Sequence, residues 1–156
     1  MLVKRLVALT ALLLLAIAAY GVEPHPRNII LIIGDGMGIG GITAARCAGP
    51  GENGKLILDT LPVTGFVKTH SESELVADSA ASGSALATGH KTGNGRISVT
   101  SDGKNLPTIL ELAIAIGKST GVITTDSVTG ATPAVFYAHT DDRNKQEDIA
   151  LQLAAS

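Results

Sequence analysis

Between Asn28 and Ile33 the chain reads NIILII, and at Gly34 it breaks abruptly into GDGMG. Its five continuous apolar residues, rich in β-branched side chains, are too few for a helix and suit a strand buried on both faces. Such a strand belongs to a sheet covered by helices. Thr64 to Thr69 (TGFVKT) and Gly121 to Thr125 (GVITT) read as further strands. Ile42–Ala48, Asp78–Thr88, Leu106–Gly117, Thr132–His139 and Lys145–Ala155 read as helices. In the third of these, Pro107 lies near the start and Gly117 at the end, where each is tolerated best. Strands alternating with helices predict an α/β fold, layered helix–sheet–helix, with a largely parallel central sheet. The polar stretch Gly89 to Gly103 (GHKTGNGRISVTSDG) reads as a surface loop. The chain stops at LQLAAS within an expected helix, which reads as a fold incomplete at its C-terminus.

The first 21 residues pose a separate problem. Lys4 and Arg5 precede the apolar run Leu6 to Ala19, and the small residues Ala18, Ala19 and Gly21 follow. A positive end, a short apolar run and small residues form the pattern of a secretory signal peptide, and the run is short for a membrane span. An uncleaved N-terminal anchor is the alternative. The expected organisation is therefore a signal peptide over residues 1–21 and one domain over residues 22–156, exported to the periplasm or the extracellular space. Cys47 is the only cysteine, so no disulfide forms within the chain, and it reads as a small core residue. With 3% aromatic residues and no Trp, the core must rest on Ala, Val, Leu and Ile. A net charge of −2 gives no electrostatic reason to expect nucleic acid as a partner.

Four places carry chemistry. Asp35 follows the apolar strand and is flanked by glycines. Ligands of open α/β sheets gather at the carboxyl ends of strands, so a carboxylate there suits a metal ion; a turn Asp capping the next helix is the other reading. Asp78 and Ser79 open DSAASGSALATG. A serine at a helix start lies among free backbone N–H groups that can hold a phosphate, but it is a weak nucleophile without a base or a metal. No histidine lies nearby in sequence, which favours a metal; an ordinary helix cap explains the same residues. Thr132, in GATPAVFYAH, can cap a helix or join a magnesium shell. Arg143 can grip two phosphate oxygens or lie idle at the surface. The four histidines show no metal-binding spacing.

The order and content of these segments resemble a known family. GDGMG after an apolar strand, VADSAASGSALATG, KTGNG, LPTILELA, GVITT and ATPAVFYAHTDDR are all similar to the alkaline phosphatases, over Asn28 to Arg143. DSAAS, which matches the family's nucleophile signature, is the most specific of them. The resemblance implies an N-terminal fragment of a phosphomonoesterase that uses two Zn2+ and one Mg2+. It implies that Asp35 bridges a zinc and the magnesium, and that Ser79 attacks phosphorus, becomes the phosphoserine and is a metal ligand. Asp78 would orient Arg143, which holds phosphate oxygens, and Thr132 would complete part of the magnesium shell. Relatives usually carry Asp or His where this chain has Gly130, which bears on the magnesium site. The family's remaining zinc ligands fall later in the chain than Ser156.

The implied reaction is hydrolysis of small phosphate monoesters by two in-line displacements, in a protein that is a homodimer at full length. A sulfatase, phosphodiesterase or phosphomutase of related fold is a second reading. The third is an inert fragment or phosphate-binding remnant, with the 156-residue chain inactive by itself.

Overall fold

The computed structural model describes residues 26–155. The expected signal peptide lies outside them. Two compact units divide the chain after Gly34. In the described part of the first, Ile29, Ile30 and Ile32 are more than four-fifths exposed, and none of residues 26–34 joins a helix or a ladder. The strand expected at 28–33 is thus unpaired among the described residues. A doubly buried strand needs neighbours on both edges and cover on both faces, and the exposure of Ile29, Ile30 and Ile32 does not meet that need.

The second unit holds five α-helices among the described residues: Ile39–Ala48, Ser79–Thr88, Ile109–Ala115, Ala131–Ala134 and Gln146–Ala155. A 3-10 turn covers Ile57–Thr60. The only described pairings outside helices are two isolated antiparallel bridges, Ile97 with Thr140 and Val99 with Asn105. Residues 64–69 and 121–125, read as strands, lie outside any ladder, with Phe66 and Ile123 fully exposed.

The core lies between the Ser79–Thr88 helix, the 97–99 stretch and residues 131–138. Its apolar members are small: Ala80, Ala81, Ala87, Ile97, Val99, Ala131, Ala134, Val135, Ala138 and Ile149, with Phe136 the one aromatic. This follows from the composition, since small side chains let helices approach closely. Gly83 marks the closest approach, because a β-carbon there would meet Val135 Cγ2 at 2.9 Å. The stretch Gly89–Gly103 is only partly the surface loop it was expected to be. Ile97 and Ser98 are fully buried, and Ser84 Oγ both donates to the Arg96 carbonyl (3.1 Å) and accepts from the Ser98 amide (2.8 Å). Polar flanks hide an inward-facing Ile-Ser-Val triplet whose serine is satisfied internally.

Helix boundaries follow from capping. Thr108, not Pro107, sets the start of Ile109–Ala115: its hydroxyl accepts from the Glu111 amide, and Glu111 accepts from the Thr108 amide at 2.7 Å. Gly117, at φ +76°, ends it with bonds from Gly117 N to the Ile114 carbonyl and from Lys118 N to the Ala113 carbonyl. The helix expected over Thr132–His139 stops at Ala134. Beyond it, side-chain hydroxyls take the carbonyls a longer helix would use: Ser98 Oγ donates to Val135 O (2.6 Å) and Thr108 Oγ1 to Phe136 O (2.8 Å). The Thr140 amide meanwhile turns to the Ile97 carbonyl. Cys47 is exposed rather than in the core, because the Ile39–Ala48 helix buries none of its residues.

Candidate active site

Asp35 stands in a tight turn that Gly36, at φ +67°, makes possible. The helix that follows is capped by Gly38 with no side-chain bond, so Asp35 does not cap it. Its carboxylate instead accepts two hydroxyls from distant parts of the chain. Ser79 Oγ donates to Oδ1 at 3.2 Å and Thr132 Oγ1 to Oδ2 at 2.5 Å. Ser79 is the first residue of its helix, and Thr132 lies inside the short Ala131–Ala134 helix, whose cap is Gly130.

Asp78 caps the Ser79–Thr88 helix by accepting from the Ala81 amide at 2.9 Å. One cap bond leaves its second oxygen free for other work. Oδ2 accepts from the Gly95 amide and from Arg143 Nη1, both at 3.0 Å. The backbone amide of Arg143 donates to the Gly95 carbonyl (2.8 Å), so Arg143 is fixed by main chain and side chain together. Arg143 is part-buried and ion-paired, not idle at the surface. A helix start, its first serine and a guanidinium thus converge through one aspartate.

Asn94 carries a role that the sequence reading missed. Its Oδ1 accepts from the Asp78 amide at 3.2 Å, and its Nδ2 donates to the Val76 carbonyl at 3.0 Å. The Asn-Gly pair at 94–95 was the available signal, since it marks a tight turn; Gly95 takes φ +81°. A side chain at Gly130 would collide with neighbours, for a β-carbon there would stand 2.7 Å from Asp126 Oδ2.

The donor set around Asp35 is one carboxylate and two hydroxyls, all hard oxygen. That chemistry fits part of a magnesium shell. The set has too few donors to hold zinc by itself, since zinc takes several nitrogen, sulfur or carboxylate ligands, and no cluster of three or more His, Cys, Asp or Glu occurs among the described residues. His70 and His90 are exposed and lie apart from these contacts, while His25 lies outside the described residues.

Comparison with known proteins gives the class. Residues 26–156 match the family model described as alkaline phosphatase. The chain belongs to the alkaline phosphatase family, and its fold is of that family's α/β kind. Streptomycin-6-phosphate phosphatase of Streptomyces griseus is 48% identical over 128 residues, covering 78% of this chain and 28% of that protein. Alkaline phosphatase of Escherichia coli is 45% identical over 124 residues, covering 75% and 26%. Among solved structures, a histidine-to-glutamate variant of TAB5 alkaline phosphatase with Mg bound superposes with a TM-score of 0.79. It is 37% identical, and the match covers 84% of this chain and 37% of that one. The chain thus spans between a quarter and a third of the length of these curated relatives.

Proposed function

We propose that the full-length protein hydrolyses phosphate monoesters through a phosphoserine formed on Ser79. The observation that carries this reading is the convergence on one helix start. Ser79 Oγ is directed by Asp35, and the neighbouring Asp78 holds Arg143. In the first displacement a bond forms between Ser79 Oγ and phosphorus while the ester P–O bond breaks, and the alcohol leaves with a proton. In the second, water attacks phosphorus, the P–Oγ bond breaks, and Ser79 regains its proton as inorganic phosphate departs.

Arg143 would offer its remaining N–H groups to the equatorial phosphate oxygens, pre-aimed by Asp78. Backbone N–H groups of the first turn would add donors at the positive end of the helix dipole. Asp35 and Thr132 would join the magnesium shell, and Asp35 and Ser79 would share in binding zinc. Bound metal ions would supply a lowered hydroxyl pKa at Ser79 and neutralise charge on the leaving oxygen. One Mg2+ and two Zn2+ are the proposed complement, the further zinc ligands coming from sequence beyond Ser156. That sequence would also complete the largely parallel sheet around residues 28–33, 64–69 and 121–125, whose exposed apolar side chains need cover. Export under a signal peptide over residues 1–21, a catalytic domain beginning at residue 22 and a homodimer complete the reading.

The test begins with the reading frame beyond codon 156. The complete protein should release phosphate from p-nitrophenyl phosphate, lose this activity with a chelator, and lose it by orders of magnitude in Ser79→Ala. The 156-residue chain alone should release none. Full activity in Ser79→Ala would overturn the reading, as would a true stop codon after Ser156.

A further inference from the structure

Two consecutive residues, Asn94 and Gly95, reach Asp78 from opposite ends. Asn94 Oδ1 accepts from the Asp78 amide at 3.2 Å, while the Gly95 amide donates to Asp78 Oδ2 at 3.0 Å. The same Gly95 offers its carbonyl to the Arg143 amide at 2.8 Å. The turn that carries the pair is closed by a bond from the Arg96 amide to the Gly93 carbonyl at 3.3 Å. The start of the Ser79–Thr88 helix and the main chain of Arg143 therefore both attach to one turn, and the Asp78 carboxylate spans the two.

The side chain of Asn94 ties the helix start to that turn. Val76, Ala77 and Asp78 lead into the helix and belong to no helix or ladder themselves. Asn94 binds this segment at two points, for besides meeting the Asp78 amide it donates from Nδ2 to the Val76 carbonyl at 3.0 Å. A further tie runs from the Asn94 amide to Ser73 Oγ at 3.3 Å. An N–H can only donate and a carbonyl only accept, so the two side-chain bonds need one acceptor and one donor on a single planar group. Among short side chains only asparagine carries both; aspartate has no donor when ionised.

The consequence falls on Arg143. Asp78 serves three donors at once, the Ala81 amide, the Gly95 amide and Arg143 Nη1. Its one carboxylate reaches all three only while the helix start and the turn keep their spacing. A displacement of about an ångström at such a contact can cost on the order of a hundredfold in catalysis. Asn94 sets the spacing, Asp78 depends on it, and the direction of the guanidinium depends on Asp78.

We propose that Asn94 is a positioning residue for phosphate binding, one that aims the Arg143 guanidinium through Asp78 without touching the substrate. The effect on phosphate rests on the phosphatase reading of Arg143. The order of the guanidinium is measurable without catalysis, so either can fail alone.

Two substitutions test this, and Asn94 is exposed, so neither disturbs the core. Asn94→Ala removes both side-chain bonds. Asn94→Asp suits the same turn but sets a lone pair against the Val76 carbonyl. In the complete protein each should raise the KM for p-nitrophenyl phosphate and the inhibition constant of inorganic phosphate about ten- to a hundredfold, the range for a hydrogen bond to a charged group. The kcat should fall less, because Arg143 holds phosphate before its transfer as well as during it. In an Arg143→Ala background neither substitution should add a further rise, since the group through which Asn94 acts is gone. In the 156-residue chain labelled with 15N-arginine, NMR relaxation should show the Arg143 side chain becoming mobile in both variants. Arg46, which pairs with Asp59, is the internal reference and should stay ordered. Wild-type behaviour of Asn94→Asp would reduce Asn94 to a turn former and overturn the proposal. An equal rise with and without Arg143 would overturn the route through the guanidinium. An Arg143 side chain that stays ordered, or an Arg46 that loosens with it, would overturn the positioning role. If the complete wild-type protein releases no phosphate, the phosphatase reading fails and the order of the Arg143 side chain decides the proposal.

Discussion

Replacing Asp78 with alanine removes three hydrogen bonds at once, and their sizes differ by kind. Loss of a helix N-cap costs about 1 kcal/mol. The Gly95 amide is part-buried and would lose its acceptor, which costs on the order of 1 kcal/mol more. The pair with Arg143 is about a third exposed on both sides, so solvent screening leaves it roughly 0.2–1 kcal/mol. All three share one carboxylate and are not independent, so Asp78→Ala should cost about 2–3 kcal/mol in total. With a urea slope of roughly 1–2 kcal/mol/M, the unfolding midpoint followed by circular dichroism should fall by about 1–3 M at unchanged slope. Asp78→Asn separates the components. Asparagine caps helices as well as aspartate, but its amide group cannot accept from both Gly95 and Arg143, so about half of the loss should remain. A midpoint within experimental scatter of wild type in Asp78→Ala would show that Asp78 does not organise the helix start and Arg143 together. Equal losses in the two variants would place the whole effect in the charge and none in the cap.

Two further perturbations probe packing and charge elsewhere. Gly83→Ala should destabilise by about 1 kcal/mol net, because overpacking against Val135 at roughly 1–3 kcal/mol exceeds the gain of about 1 kcal/mol in helix propensity. In a Val135→Ala background the same change should stabilise instead, and a penalty that persists there would refute the steric cause. Asp59 accepts a two-pronged hydrogen bond from Arg46 and one from the Leu56 amide, which together hold its carboxyl down at about 2 from a usual 3.8. The folded value is the lower one, so the pair's contribution is complete above about pH 4 and disappears as pH falls through about 2. A carboxyl titration by NMR should show this, and Arg46→Ala should bring Asp59 back towards its usual value.

The presence of the Ser79–Thr88, Ile109–Ala115 and Gln146–Ala155 helices was legible in the sequence, because the causes are local. Their bounds were less so: Ile39–Ala48 begins three residues before the expected Ile42, and Ile109–Ala115 three after the expected Leu106. Asp78 ahead of an Ala-rich segment and Gly117 after an apolar one each act within a turn of themselves. The end of the expected Thr132–His139 helix was not legible, since the hydroxyls that stop it belong to Ser98 and Thr108, some thirty residues away. The burial of Ile97 and Ser98 inside a polar stretch was hidden for the same reason. Cys47 was misjudged because an Ala-rich helix suggests a core face, and this helix buries none. Asp35, Ser79, Thr132, Asp78 and Arg143 were each ambiguous as single residues. Their meeting depends on contacts across 44 to 97 positions of chain.

Helices and polar contacts form here while the apolar segments find no ladder, and the two outcomes have different requirements. A capped helix satisfies its backbone internally, and a carboxylate needs only one or two donors within reach, so the Asp35 and Asp78 clusters close within the second unit. A strand satisfies half its backbone on each neighbour and its side chains on two covering layers. Residues 64–69 and 121–125 have no such neighbours among the described residues, and Phe66 and Ile123 are left wholly exposed. Polar preorganisation of the serine and arginine therefore does not depend on a finished sheet. Metal binding is a different matter, because one carboxylate and two hydroxyls cannot offset the loss of a dication's water shell. The order of dependence follows: the Asp35 and Asp78 clusters are set within the second unit, whereas tight metal binding needs more ligands than they supply. Isothermal titration of the 156-residue chain should accordingly show no tight zinc site. A stoichiometric, tightly bound zinc lost in Asp35→Ala would mean that the described residues hold a complete metal site after all.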